Sequence, residues 1–502
     1  MLSRRDVFHG LLASPLLLAR GEAEVTPDVV RFRPEIEPLV SLIENTPREK
    51  CAEMAVDQMR RGVSYRRMLA ALFLAGVRNV NPRPPGFALH CVFVIHSAHL
   101  ISLEAPADVR MLPLFYALDD FKAAQERDAK ASGGDYTMRG LQGTLPTAEK
   151  AGPELAAAME AWDLERAERA VVALARGRGA GDVFAALWRY GARDYRNIGH
   201  KAIYTANACR TLQTIGWQHA EPVLRSLVSS LLDFGRQQQM NGYALDDQCY
   251  SANVKRLRES FGKLGDAWGS DDADSGATRA IAAVIHDASP DEACAEITAR
   301  MVKNKISAGA VWDAIHLASA ELRMRARGAA SLASIHSMTS TNALRYAYQS
   351  APDPQTRFLL LLQAAGWVGQ FKTAARPETL RAFRITDLEA ASRQGARDRD
   401  VAEVFAGLRK DTDETAARVF GLAGDPAGRQ AFFASALRFT ASRVSEVHYY
   451  KFLAALIEDT PLVSAEWQPY FTAAAAYYVK GPADPEPPSM KRAREALRSL
   501  PS

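Results

Sequence analysis

Apolar residues recur at intervals of three and four positions along most of the chain. One such stretch places Leu224, Leu227, Val228 and Leu231 on the same side of a helix, which is the spacing of an amphipathic α-helix. The alternation of apolar and polar residues that is typical of strands is scarce. The pattern therefore predicts an all-α, multi-helical protein with little or no sheet.

Stretches rich in glycine, proline and small polar residues interrupt the helical pattern. The acidic stretch at 269–280 is the strongest candidate for a linker between two helical halves, at 24–268 and 281–481. A C-terminal tail is expected at 482–502. Weaker breaks fall at 81–86, 132–143 and 177–181.

The two halves align with each other, which predicts an internal duplication. Residues 90–121 align without gaps to 336–367. In this alignment His90 corresponds to His336, and the Ala-Pro pair at 105–106 corresponds to the pair at 351–352. A second match pairs His200 with His448. Each half would then contain two helical units. The alternative is that helices rich in alanine and leucine align with one another by chance.

The predicted duplication makes the histidines candidates for one shared site, because equivalent positions near an internal axis can converge. We expect His90, His200, His336 and His448 to hold one transition metal ion, with iron, copper, zinc and manganese as the candidates that suit imidazole nitrogen. The alternative is that each is a hydrogen-bonded core residue, since no HExxH or CxxC motif accompanies them.

Further polar residues follow three of these histidines, His90, His200 and His336, at intervals of about two or three helical turns. They are candidates for substrate binding or for orienting the metal ligands: His96, His99, Asn207, Arg210, Asn342 and Arg345. Four carboxylates are candidates for completing the metal shell or accepting a histidine N–H: Asp119, Asp120, Glu221 and Glu446.

Composition and the N-terminus bear on location. A net charge of +4 over 502 residues, with both signs mixed along the chain, does not indicate nucleic-acid binding. Residues 1–23 resemble a bacterial twin-arginine signal, with Arg4-Arg5 before a short apolar run, although Val7 and His9 depart from the usual pattern. We expect recognition by the export machinery, a periplasmic or secreted protein, and no stable membrane insertion once the signal is removed. An ordinary cytoplasmic N-terminus is the alternative.

The cysteines show no redox or zinc spacing. Five are present, far apart in the chain, and Cys91 and Cys209 fall in apolar helical stretches. We therefore expect these two to be small core residues.

Two segments, NIGHKAIYTANACRTL at 197–212 and HSMTSTNALRYAY at 336–348, resemble questin-oxidase-like proteins, a helical group associated with oxidation of aromatic polyketides. The resemblance implies a helical oxidoreductase, but it transfers no catalytic residue, and the export signal departs from it.

These observations predict an exported helical metalloprotein that acts as an oxidoreductase on a small apolar or aromatic substrate. Serine-hydrolase and P-loop motifs are missing from the sequence. Two alternatives stay open: a non-enzymatic helical-repeat module that binds a peptide or protein, and a metal-assisted hydrolase.

Overall fold

The protein is described by a computed structural model, which covers residues 29–130, 136–233, 244–395 and 400–499. The predicted export signal at 1–23 lies outside these residues. Within them every regular element is a helix and no strand is present, so the prediction of an all-α fold is confirmed.

The first ten helices of the described chain precede residue 234. They are α1 Glu37–Asn45, α2 Cys51–Arg60, α3 Tyr65–Asn79, α4 His90–Glu104, α5 Leu112–Lys130, α6 Ala148–Ala161, α7 Leu164–Gly177, α8 Ala180–Gly191, α9 His200–Ile215 and α10 Ala220–Leu231.

The remaining helices follow residue 243. They are α11 Ala244–Ser260, α12 Ser275–Asp287, α13 Pro290–Lys303, α14 Ala308–Arg325, α15 Ala330–Ser350, α16 Pro354–Ala374, α17 Asp387–Gly395, α18 Val401–Gly407, α19 Thr412–Ala423, α20 Pro426–Arg443, α21 Val447–Asp459, α22 Gln468–Ala473 and α23 Pro488–Leu497.

Local sequence explains where many of these helices begin. Ser289 caps α13 by accepting from the backbone N–H of Glu292, whose side chain accepts from the backbone N–H of Ser289 in return, and Pro290 occupies the first helical position. Such reciprocal caps satisfy backbone groups that the helix leaves free. The predicted break at 177–181 is also a helix boundary, because α7 ends at Gly177 and α8 begins at Ala180.

Four helices form the centre of the molecule. Helix α4 packs against both α9 and α21, and α15 packs against the same two helices. Helix α9 has buried residues on every side, from His200 to Leu212. Helix α15 is buried without interruption from Ser334 to Arg345. Polar residues on these helices therefore face protein rather than solvent.

The two predicted halves share this central core. Helices α4 and α9 come from 24–268, and α15 and α21 come from 281–481. Across the halves, α4 packs against α21 and α9 packs against α15. Both α4 and α15 end at an alanine whose N–H bonds four residues back, Ala105 to Ile101 and Ala351 to Ala347, each at 2.8 Å. These shared contacts agree with the duplication, which stays a prediction.

The stretch expected as a linker is packed in place. Residues from Ser275 onward belong to α12. The residues before Ser275 accept hydrogen bonds from the start of α14. Ala308 N–H donates to Trp268 O at 2.7 Å, and Gly309 N–H donates to Ser270 O at 2.9 Å. A Cβ on Gly309 would meet Asp271 O at 2.3 Å, so glycine is required for this approach. The expected tail at 482–502 contains α23, which packs on α2 and α5.

Two further properties of the described chain concern membranes and thiols. No helix in those ranges has the length and apolar character needed to cross a bilayer. All five cysteines are free and buried, and the expectation that Cys91 and Cys209 are core residues is confirmed by exposures of 2% and 6%.

A candidate metal centre of buried histidines

The four candidate histidines lie near the N-terminal ends of the four central helices. His90 and His200 are the first residues of α4 and α9, His448 is the second residue of α21, and His336 lies in the second turn of α15. The Nε2 atom of His200 is 2.8 Å from Nε2 of His90 and 3.0 Å from Nε2 of His336. The His448 ring centroid is 4.8 Å from that of His90 and 4.9 Å from that of His336. We call these four residues the histidine layer.

Three members of the histidine layer are arranged to hold a metal ion. His90, His336 and His448 each offer a ring nitrogen, and these three nitrogens lie within 4.8 Å of one another. All three side chains are buried, at 3%, 1% and 6% exposure. This is a nitrogen ligand set of the kind that first-row transition metals bind.

The outer nitrogens of two rings donate to acceptors, which leaves a lone pair on each inner nitrogen. His336 Nδ1–H donates to Leu332 O at 2.8 Å. His448 Nδ1–H donates to the Glu446 carboxylate, and its buried Nε2 has no hydrogen-bond partner. A second-sphere partner on the outer nitrogen is the usual arrangement for a metal-binding histidine.

Hydrogen bonding within the histidine layer is incomplete. A neutral imidazole nitrogen carries either one proton or one lone pair. His200 Nε2 therefore makes a good hydrogen bond to only one of its two close neighbours, His90 or His336. His90 Nδ1 is also buried without a partner. Unpaired buried polar groups cost about 1–3 kcal/mol each, and a cation bound by His448 Nε2 would relieve that cost for this lone pair, which has no partner among the described residues.

Burial keeps the four rings neutral. It lowers the pKa of His90, His200 and His336 well below the ordinary value of 6.5, and the positive charge of Lys451 lowers the pKa of each further. The pKa of His448 is lowered for the same two reasons. Neutral imidazoles are the form that binds metal, so the layer needs no deprotonation at neutral pH.

An unusual backbone turn just before α9 places His200 in the histidine layer. Asn197, Ile198 and Gly199 have positive φ angles of 57°, 49° and 79°, a region that a β-branched residue such as Ile198 rarely adopts. A Cβ on Gly199 would meet Ser340 Oγ of α15 at 2.2 Å. Glycine thus allows the start of α9 to approach α15 closely, and strained backbone of this kind is typical of functional sites.

A buried lysine accompanies the histidines. Lys451 lies one turn after His448 on α21, is 3% exposed, and places Nζ 3.3 Å from His90 Nε2. Burial lowers its pKa to about 7, although the nearby carboxylates Glu446 and Asp120 act in the opposite direction. Sequence reasoning missed this residue because a single lysine in a helical stretch normally lies at the surface.

A second group of polar side chains occupies the same four helices farther from their N-termini. Its members are His96, Arg210, Asn342 and Glu458, one from each helix, and we call them the polar layer. Arg210 Nη2 lies 3.0 Å from Glu458 Oε2 and His96 Nε2 lies 2.9 Å from Glu458 Oε1. Arg210 Nη1 donates to Asn342 Oδ1 at 2.9 Å, and Asn342 Nδ2 donates to Glu458 Oε2 at 3.2 Å.

Glu458 is the centre of the polar layer, and its carboxylate is ionised. Burial alone would raise its pKa, but Arg210 and His96 outweigh that effect and hold it at about 2. Sequence reasoning did not find Glu458. A usable signal existed, because Glu458 follows His448 by ten residues just as Arg210 follows His200 by ten.

The other predicted site residues are distributed differently. Asn207 adjoins the polar layer, since its Oδ1 accepts from Arg210 at 3.2 Å and its Nδ2 donates to Phe93 O at 3.0 Å. His99 instead contacts Tyr65 Oη at 3.2 Å. Arg345 pairs with Asp271 at 3.1 Å. The structure thus brings His96, Asn207, Arg210 and Asn342 together and places His99 and Arg345 in contacts of their own.

Only some of the candidate carboxylates reach the histidines. Glu446 contacts His448, as described above. Asp119 forms an ion pair with Arg48 at 2.8 Å and Glu221 with Arg176 at 2.7 Å. Asp120 is partly buried near Lys451, and desolvation of its carboxyl raises its pKa to about 6.

Comparisons with known proteins give no match: no protein-family model fits the sequence, and neither a curated protein nor a solved structure is significantly similar to it. The resemblance to questin-oxidase-like proteins is therefore untested.

Proposed function

We propose that the protein is a metal-dependent oxidoreductase whose transition metal ion is bound by the histidine layer. His90, His336 and His448 would supply three nitrogens, and His200 would supply the fourth. The observation that supports this most directly is the convergence of neutral, buried imidazoles whose mutual hydrogen bonding is incomplete. No core of purely structural histidines gains from that arrangement.

The ligand type limits the metal. Imidazole nitrogen suits iron, copper, manganese and zinc, and the ring nitrogens of His90, His336 and His448 lie within 4.8 Å of one another. Iron, copper and manganese change oxidation state readily, as an oxidoreductase requires, whereas zinc does not.

The surroundings suit a small apolar or aromatic substrate. Phe93 stacks on His200 with ring centroids 5.4 Å apart. Phe87 lies 5.8 Å from the His90 ring and is 65% exposed, so an aromatic side chain links the protein surface to the histidine layer. A redox-active metal would supply electron transfer, while the protein's residues orient the ligands and exclude bulk water.

Export belongs to the same proposal. A twin-arginine signal at 1–23 would carry the protein out of the cytoplasm after folding, so the metal would be acquired before transport. This route suits a site whose four ligands lie far apart in sequence and assemble only in the folded chain.

The first test is metal content. Protein purified without an affinity tag should contain about one equivalent of a redox-active metal, measured by elemental analysis. The triple variant His90→Leu/His336→Leu/His448→Leu should lose it. His219→Asn should keep it, because His219 lies near Arg33 and Arg66, away from the layer. Metal retained by the triple variant would remove the proposal.

A redox titration separates oxidoreductase from hydrolase. The metal-loaded protein should show a reversible one-electron change in its electron paramagnetic resonance spectrum. A stoichiometric but redox-silent metal would favour metal-assisted hydrolysis instead. The absence of any stoichiometric metal would leave the non-enzymatic binding module.

A further inference from the structure

The strongest feature that the proposed function leaves unexplained is Lys451. Its side chain is 3% exposed and lies on the same face of α21 as His448, three residues earlier. Its charge contributes to lowering the pKa of every histidine in the layer. The amine lies against the histidine layer, with Nζ 3.3 Å from His90 Nε2.

The equivalent position on α9 shows that a lysine is not needed for packing. His200 aligns with His448, so Ile203 aligns with Lys451, and Ile203 is buried at 2% exposure. Burying an amine in place of an aliphatic side chain is unfavourable unless it is well paired. In the predicted alignment, α9 and α21 thus differ at this buried position.

The hydrogen bonds of Lys451 are not complete. Among the described residues, His90 Nε2 is the sole hydrogen-bond partner of Nζ, at 3.3 Å. The adjacent carboxylate of Glu446 already accepts from His448 and from Tyr478 Oη. A metal bound through His90 Nε2 would also take the lone pair that Lys451 now uses, leaving all its N–H groups without an acceptor.

We propose that Lys451 binds a small monovalent anion, of the class of hydroxide or azide, held at an open position of the metal. This inference rests on the proposed metal site and names the ligand class that the site selects. His90, His200 and His448 stand at the amino-terminal ends of α4, α9 and α21 and contact one another through His90, and the positive ends of helices favour an anion there. The anion would accept the hydrogen bonds that metal binding removes from Lys451.

Azide titration of the metal-loaded protein, followed by absorption spectroscopy, tests the proposal. Lys451→Met should keep the full metal content and bind azide about 10–100-fold more weakly, which is the size expected for a lost charge-assisted hydrogen bond. Lys451→Arg should recover part of the affinity. Lys122→Met is the matched control, because Lys122 is also buried but bonds to the backbone carbonyls of Ile43 and Glu44.

A second variant tests whether weaker azide binding comes from misfolding. Lys451→Ile copies the residue that α9 carries, and its helical circular dichroism should match that of the wild type. Unchanged azide affinity in either variant overturns the role of Lys451 while leaving the metal site intact. Loss of metal from both variants would make the amine part of the metal-holding set and also overturns the proposal. A wild-type protein without metal removes both this inference and the proposed function.

Discussion

The histidine layer and the polar layer lie on the same four helices but differ in how their groups are satisfied. In the polar layer the charges of Arg210 and Glu458 offset each other, and Asn342 and His96 add hydrogen bonds to the Glu458 carboxylate. In the histidine layer burial keeps all rings neutral, and no such ion pair joins its members. Among the described residues both layers keep buried nitrogens without a partner, His96 Nδ1 in the first and nitrogens of His90, His200 and His448 in the second, so the layers differ in the pairing of charge and in the number of unpaired nitrogens.

This difference separates two uses of buried polarity. A network whose opposite charges pair with each other stabilises one arrangement of the helices, and removing one member strongly lowers the free energy of unfolding. A set of unpaired acceptors costs stability in the free protein and gains it when a cation binds. Variants of the two layers should therefore affect different measurements.

The largest effect on folding is expected in the polar layer. Glu458→Leu should lower the free energy of unfolding by about 3–5 kcal/mol, because it leaves the buried Arg210 guanidinium without its carboxylate. Denaturant unfolding at neutral pH measures this. Glu414→Leu is the control, since that exposed carboxylate pairs with Arg418 at the surface and should cost about 0.5 kcal/mol or less. Equal losses in the two variants would contradict the comparison.

His90→Leu should show the opposite behaviour. The metal-free variant should lose less free energy of unfolding than Glu458→Leu, because it removes a neutral ring and leaves only the Lys451 amine without its hydrogen bond, at about 1–3 kcal/mol. Its metal affinity should fall by at least about 100-fold, since one ligand is missing. Competition with a chelator of known affinity measures the second quantity. A variant that binds metal normally would show that the rings are core residues.

Glu446→Gln tests the group behind a ligand. We expect metal affinity to fall by about 10–100-fold, because the carboxylate that orients His448 and strengthens its basicity is lost. The same chelator competition provides the measurement. Glu221→Gln serves as the control, since Glu221 pairs with Arg176 away from the histidines. Similar affinities for the two variants would remove Glu446 from the site.

Acid should weaken the metal-free protein through the histidine layer. Burial lowers the four folded-state pKa values below 6.5, so below that pH the unfolded chain takes up protons that the folded chain does not. The histidine contribution to stability is then complete above pH 6.5 and falls as the pH falls toward the lower, folded values. Asp120 has the opposite effect on stability. Its pKa is raised to about 6, so the folded chain takes up this one proton at a higher pH than the unfolded chain does. Melting temperatures across this range should drop, and the drop should be smaller in the triple histidine variant.

The smallest effect is expected at His99. The variant His99→Asn should bind metal within about twofold of the wild type, because His99 contacts Tyr65 and distant sites act independently. Isothermal titration with the metal measures the change. A large loss of affinity would place His99 in the metal site after all.

Much of the fold follows from local patterns. The three- and four-residue period of Leu224, Leu227 and Leu231 predicted helix, and α10 contains all three. The alignment of His90 with His336 singled out the histidines that meet in the core. The polar layer was found only in part, because Glu458 carries no local motif and gains its role from Arg210, a residue on another helix.

The positions of the remaining candidates depended on helix orientation. His96 and His99 are three residues apart on α4, and yet they contact different neighbours, Glu458 and Tyr65. Arg345 lies only three residues beyond Asn342, but it pairs with Asp271. Sequence spacing gives the face of a helix, and it does not give what the neighbouring helix places opposite that face.

The sequence by itself determined that the chain is helical, which residues begin several of the helices, and which histidines occupy matching places, because these are properties of period, capping and repetition. Only the tertiary structure decided that those imidazoles share one buried space, that Lys451 joins them, and that Arg210 meets Glu458. These are distances between helices far apart in the chain, and they depend on how every apolar face packs against the others.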